Sequence, residues 1–308
     1  MTRGTTTLRR DHRGTERRGE ETHGNGSDDT VTIDHEQALA RRREGWRQTR
    51  VDRLTGVDDA PAFIDAVGLA TLFPASPEVP NLFHAFVGDP DTATDSGHAT
   101  PSGQVYGWRW VLGRREAAFY GAIVRNRPTW VAWPLLPAIL HLRAETRSPQ
   151  EMRADGMISA DAVRIADALD AADAPLTTAE LRRAAGFPTG KEQRAAYLRA
   201  VAELDARLLL AKTFAAEPDD LEMRHALTRR RYPEALRASA GLSREAALDQ
   251  LLAAYLPAAA FARPTPLARH LGVGEPELRA GLGRLVDAGR AVVATLPGQR
   301  GDAFAAVP

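Results

Sequence analysis

Apolar and polar positions divide the chain into a polar beginning and a long body in which helical spacing alternates with short breaks. Residues 1–33 carry almost no large apolar side chains and are Gly-rich, which predicts a disordered polar tail. Over 34–58, the stretch DHEQALARRREGWRQTRVDRL can form one charged helix with few apolar anchors, a docking or linker helix. The folded body is then expected to begin near Asp59. In APAFIDAVGLATLF, Phe63, Val67 and Leu69 recur at helical spacing, and Gly68 is a natural stop. Residues 89–104 read as a flexible Gly/Pro/Asp/Thr-rich loop. Trp108 and Trp110 are expected on a strand or turn, with Arg109 pointing away from both. A helix is expected from about Gly113, with Ala118, Phe119, Ala122 and Ile123 on its core face.

The C-terminal half has a clearer pattern. Over 151–228 it predicts a helix, a turn at Gly186, a longer helix and a hairpin. Thr177 with Glu180 and Thr189 with Glu192 form two capping boxes. Tyr197, Val201, Leu204 and Leu208 follow at core-facing spacing, and RLLLAKTF and LEMRHAL flank the turn AAEPDD. Residues 229–308 repeat the plan after an Arg-rich connection. Thr265 caps a helix with Pro266 in its first position, LARHLGV stops at Gly272, and EPELRAGLGRLVDAG closes at Gly289. RAVVATL and AFAAV flank the tip PGQRGD, where Arg300-Gly301-Asp302 is a turn and not an adhesion signal. The expected fold is mainly α with small β-hairpins (α+β), built from tandem winged helix-turn-helix modules after an N-terminal helical pocket domain at 59–150.

Composition narrows the chemistry. The 308 residues contain no cysteine, which excludes disulfides, Cys-based zinc sites and thiol nucleophiles and suits a reducing cytoplasm. Neither a secretory h-region nor a membrane-length apolar run is present, so a soluble cytoplasmic monomer is expected. Net charge is zero, but residues 57–100 carry seven acids and no Lys or Arg, whereas 101–155 carry eight Arg against four acids. Such polarity either aims one face at phosphate or leaves two solvated faces of opposite sign. GFPTGKE is one residue short of a phosphate loop, GVGEPE is no dinucleotide fingerprint, and the eight His show no ligand-pair spacing, so neither metal nor cofactor is expected.

Candidate nucleic-acid contacts are Arg109, Arg114 and Arg115 beside Trp108, and Lys191, Gln193 and Arg194 at the start of the first module's second helix. The run Arg229, Arg230 and Arg231 completes the set. In the second module Glu275 and Glu277 occupy the corresponding helix start, an unfavourable face for phosphate. In EVPNLFHAFVGD, His84 stands among Leu82, Phe83, Phe86 and Val87, near Glu78 and Asp89. It is either a partly buried His bonded to backbone or the polar group of a reading or catalytic pocket.

The segments FIDAVGLATLFPASPEVPNLFHAFVGD and YGWRWVLGRREAAFYGAIVRNRPTWVAWPLLPAIL, the two winged helices and RRRYPEAL resemble the AlkZ-related winged-helix proteins over roughly residues 60–296. These are relatives of the alkylpurine and crosslink-repair DNA glycosylases. The resemblance implies duplex DNA as partner and hydrolysis of the N-glycosidic bond of damaged purines by a Gln-x-Gln or Gln-x-Asp pair near GLATL. Ala70 and Leu72 stand there instead, and neither can position water nor stabilise positive charge. Either Asp65, Glu78, His84 or Asp89 substitutes, or this branch does not hydrolyse. Three functions follow as expectations: a repair glycosylase with its pocket around 78–110, a non-catalytic DNA-binding regulator or damage sensor, or an interaction scaffold.

Overall fold

The computed structural model of the protein describes residues 30–307. The tail expected at residues 1–29 lies outside the described residues. Strand β1 (Val31–Thr32) and helix α1 (His35–Gly45) come first. Then follow α2 (Ala60–Val67), β2 (Leu69–Thr71), α3 (Leu82–Val87), α4 (Pro101–Arg114), β3 (Phe119–Ala122) and β4 (Pro128–Val131). Helices α5 (Leu136–Arg143) and α6 (Pro149–Ala154) lead to α7 (Ala160–Ala171), β5 (Leu176–Thr177) and α8 (Thr178–Ala184). That series ends with α9 (Lys191–Asp205), β6 (Leu210–Phe214) and β7 (Met223–Leu227). Helices α10 (Thr228–Arg231) and α11 (Pro233–Ala240) connect it to α12 (Arg244–Ala259), β8 (Phe261–Ala262) and α13 (Pro264–Leu271). Helix α14 (Glu275–Asp287) and the hairpin β9 (Ala291–Thr295) and β10 (Ala303–Ala306) complete the chain.

The protein is therefore a mixed α and β structure in which one unit occurs three times: helix, strand, two helices, hairpin. In every copy the strand before the helix pair lies antiparallel to the last hairpin strand. The sheet orders are β2-β4-β3, β5-β7-β6 and β8-β10-β9, the last extended by β1 running parallel to β9. The sequence pattern showed two copies. The first is hidden because β2 is a three-residue strand buried on both faces, and because residues 88–100 separate α3 from α4. Strand β1, at Val31–Thr32, pairs with β9 inside the stretch 1–33 that is expected to be disordered.

Two main cores result. The first and third units share one, with Phe63, Ile64, Leu112 and Trp130 packed with Leu248, Leu252 and Leu282. The second has its own, built from Ile165, Leu181, Tyr197 and Leu204. Leu208 crosses between them. It follows the end of α9 in a left-handed conformation (φ 53°), and its buried side chain joins the shared core, not its own unit's.

Several local expectations are corrected. The charged helix at 34–58 is α1 alone, and it is docked: Trp46, directly after it, is 2% exposed. At Gly45 any side chain would collide with the Ala258 carbonyl of α12. The stretch with Trp108 and Trp110 is helical, started by Thr100, whose hydroxyl accepts from Gly103 N at 3.2 Å with Pro101 at N1. That helix ends where the sequence pattern would have begun one. Glu116 turns left-handed (φ 46°), and Phe119–Ala122 pairs with β4 as one arm of a hairpin whose other arm, at 128–131, is in turn paired with β2. Phe119 and Ile123 are nevertheless buried. The Thr177–Glu180 capping box is present, whereas α9 starts after Gly190 (φ 138°) with no side-chain cap at Thr189. Helix α13 begins at Pro264 after Arg263, one position before Thr265.

Candidate nucleic-acid interface

Helix α4 is two-faced. Trp108, 7% exposed, points inward and packs edge-on against Phe86 of α3 at 5.0 Å. Tyr106, Arg109 and Trp110 lie together on the outer side, because i, i+3 and i+4 coincide on a helix. The Arg109 guanidinium stacks 3.5 Å from the Tyr106 ring centre and 4.5 Å from that of Trp110. It therefore lies beside Trp110, where a strand would have separated them. Tyr106 is 48% exposed, and no acid forms an ion pair with Arg109 among the described residues. Toward the C-terminal end of α4, the second unit's hairpin covers this face. Phe214 packs on Trp110 at 5.6 Å, and Gly113 permits the approach, since a methyl there would overlap the Phe214 ring. Arg114 lies near Asp220 of the same hairpin, and Arg115 pairs with Asp58 at 2.6 Å on the surface.

The sheet beneath α4 decides what positions 70 and 72 can do. Ala70 stands opposite Trp130, and Trp130 opposite Tyr120, so these three side chains line one face in a row. Ala70 and Trp130 are wholly buried and Leu72 nearly so. Tyr120 packs on Trp130 at 4.5 Å and on Phe214 at 5.9 Å, and burial pushes its hydroxyl up to about 12. A void of about 20 Å³ remains there, room for about one water. The place where the resemblance implies paired polar side chains is an aromatic plug.

The four residues considered for catalysis do not converge. Asp65 is exposed on α2. Glu78 is 1% exposed, held by Arg42 at 3.3 Å and by Arg263 at 2.5 and 3.0 Å. Arg42 in turn donates to the carbonyls of Ala259, Phe261 and Pro77 at 2.9, 2.5 and 3.2 Å. This cluster clamps α1 onto the third unit, and the sequence held no sign of it. The side chain of His84 has both ring nitrogens occupied. Asn81 Nδ2 donates to Nδ1 at 3.2 Å, and Nε2 donates to the Thr92 carbonyl at 3.2 Å. Burial holds its pKa below the ordinary imidazole value, against the opposing pull of that carbonyl, Asp89 and Asp91, so it is neutral at neutral pH. Asp89 accepts from Asp91 N and the Thr92 hydroxyl, closing the turn on which His84 rests.

In the second unit Lys191 and Arg194 are exposed and Gln193 half-exposed at the start of α9, with Leu198 exposed one turn further on. No side-chain hydrogen bond or ion pair engages Lys191 or Arg194 among the described residues. The Arg run, in contrast, is tied to the protein. Arg229 pairs with Asp170 at 2.7 Å, Arg230 donates to the Leu169, Asp170 and Ala172 carbonyls, and Arg231 pairs with Glu116. The third unit's α14 begins with Glu275 and Glu277, which pair with Arg279 and Arg244. Among the described residues no helix is long and apolar enough to cross a membrane.

Among solved structures, the DNA glycosylase AlkZ of Streptomyces sahachiroi matches with a TM-score of 0.51 at 15% sequence identity. The match covers 87% of this chain and 70% of that one. No curated protein gives a significant match. The likeness in structure is one of fold. The family model described as "AlkZ related" matches residues 54–257, a span that includes the first two units and most of α12, and the chain belongs to the AlkZ-related family.

Proposed function

We propose that this protein binds duplex DNA in a repair setting through tandem winged helices, and that it recognises DNA without hydrolysing it at positions 70 and 72. The three helix–strand–helix–helix–hairpin units support the winged-helix reading, in which α4, α9 and α14 are the second helices of the helix pairs that can address a groove. The observation that carries the proposal is the cation–aromatic ladder of α4. Arg109, half-buried, stacks on the exposed Tyr106 and on Trp110, and no carboxylate pairs with it among the described residues. A stacked, unpaired guanidinium retains its charge for phosphate and adds a planar face for bases. Lys191, Gln193 and Arg194 supply a second cationic group on α9, and α14, led by acids, contributes least.

Chemistry argues against hydrolysis at the family's polar pair. An oxocarbenium-like transition state needs a nearby acceptor and a positioned water. Ala70, Leu72 and Trp130 carry no side-chain acceptor, Tyr120 offers only a buried neutral hydroxyl beside a void for about one water, and the His84 ring has no nitrogen left to act as base. The test combines binding titrations at two salt concentrations with single-turnover base release on duplexes carrying alkylated purines. The expected result is salt-sensitive binding, with Arg109→Ala lowering the salt slope by about 0.9, and no base release. Absence of salt-sensitive binding overturns the DNA reading, and base release overturns the non-hydrolytic half.

A further inference from the structure

We propose that the cavity of about 390 Å³ between the end of α1, the 74–79 segment and the start of α3 binds a neutral planar heterocycle through a cis-amide edge, read by the Gln48 side chain. Gln48 is 7% exposed and lines this cavity, yet its amide makes no hydrogen bond to another described residue. The amide is not sealed from the cavity, so its donor and its acceptor both remain available to a guest there. Trp46, two residues earlier, lines the same space, and its indole Nε1 also has no partner. The other buried or half-buried polar side chains of the wall are already engaged: Asn81 with His84, Arg42 with Glu78 and three carbonyls, and Ser76 with His270 and the Glu78 N–H.

The backbone delivers Gln48 to this place at some expense. Helix α1 closes with Arg47 N donating to Glu44 O and Gln48 N to Arg43 O, the paired bonds of a Schellman turn. Glycine normally holds the left-handed position of that turn, but here it is Arg47 at φ 56°. The strain is sustained because Arg42 and Gly45 fix the helix, and the reversal aims residue 48 back under α1.

Ligand class follows from the lining. A carboxamide places one donor beside one acceptor, which matches the N–H and C=O of a lactam in a two-bond pair. Leu39, Pro74 and Val79 provide flat apolar walls for a ring. The mouth carries one base, Arg43, and one acid, Asp91, so it favours neither anion nor cation. The volume lies within the roughly 300–1,000 Å³ of ordinary small-molecule sites. A free lactam and an oxo-base displaced from nucleic acid share this edge, and the site stands or falls independently of the DNA-binding proposal.

The probe is 2-quinolone, with N-methyl-2-quinolone as its donor-blocked control, titrated into the full-length protein by calorimetry and amide chemical-shift mapping. Saturable binding of 2-quinolone is expected, with shifts at residues 46–48. The N-methyl compound and the Gln48→Leu variant should each bind about tenfold more weakly or worse. The two-compound comparison on the unaltered protein keeps the test decisive even if the variant folds poorly. No saturable binding up to the solubility limit, equal affinity for both compounds, or unchanged affinity in a folded Gln48→Leu overturns the proposal. Displacement of 2-quinolone by a duplex with an unpaired hypoxanthine assigns the natural ligand to nucleic acid, and its failure assigns it to a free heterocycle.

Discussion

Replacing Glu78 by Gln separates a structural carboxylate from a catalytic one. The side chain is 1% exposed, as is fitting for the counter-ion of Arg42, itself 6% exposed, and of Arg263 at 32%. Removing one member of a buried pair typically costs 3–5 kcal/mol, because the other charge stays buried without compensation. Three carbonyls still accept from Arg42, and Arg263 can turn toward water, so the lower end applies, about 3 kcal/mol. Tyr255 donates to the Glu78 backbone carbonyl at 2.8 Å, a bond that survives the substitution. By the same reasoning Arg263→Ala, which leaves the buried Glu78 Oε1 without its two hydrogen bonds, should also cost about 3 kcal/mol. The assay is equilibrium urea unfolding followed by tryptophan fluorescence, in a double-mutant cycle of Glu78→Gln with Arg42→Met. A coupling of about 2 kcal/mol is expected. A Glu78→Gln cost below about 1 kcal/mol, or no coupling, would refute the clamp. Base release by the wild type, which the proposed function does not expect, that disappears in a fully stable Glu78→Gln would return Glu78 to the catalytic candidates.

The remaining predictions concern the second unit and its contact with α4. Gly113→Val should expel Phe214 from α4 and loosen the second unit, raising amide exchange in β6 and β7 while leaving the shared core protected; unchanged exchange in both strands would contradict the packing. His225 is buried beside Lys212, and burial and that charge depress its pKa to about 3. Its folded value lies below the unfolded 6.5, so the group costs nothing above pH 6.5. Stability is lost as pH falls from 6.5 toward 3, by at most roughly 5 kcal/mol. The urea midpoint should therefore drop over that window in the wild type and drop less in His225→Asn; equal slopes would refute the assignment.

Local sequence was sufficient wherever a short-range rule fixed the backbone. The Thr177–Glu180 capping box and the turns at Gly186 and Gly272 are legible because their partners lie within a few residues, and the hairpin after α9 because two apolar runs flank a Pro/Asp turn. The mixed α and β architecture and the resemblance to the AlkZ-related family were readable for the same reason, the order and spacing of segments. Only tertiary structure showed the first repeat unit, since β2 is a strand by virtue of pairing with β4 about sixty residues away. It also turned the Trp108–Trp110 stretch into a helix, which split one aromatic from the other between core and surface. The candidate contacts divided on partners that no window of sequence displays. Arg229, Arg230 and Arg231 meet Asp170, backbone carbonyls and Glu116 and are spent on the fold, while Arg109 meets only aromatic rings. Composition counts charges, but the accessibility of a charge depends on its distant neighbours, and those are set by how the units pack.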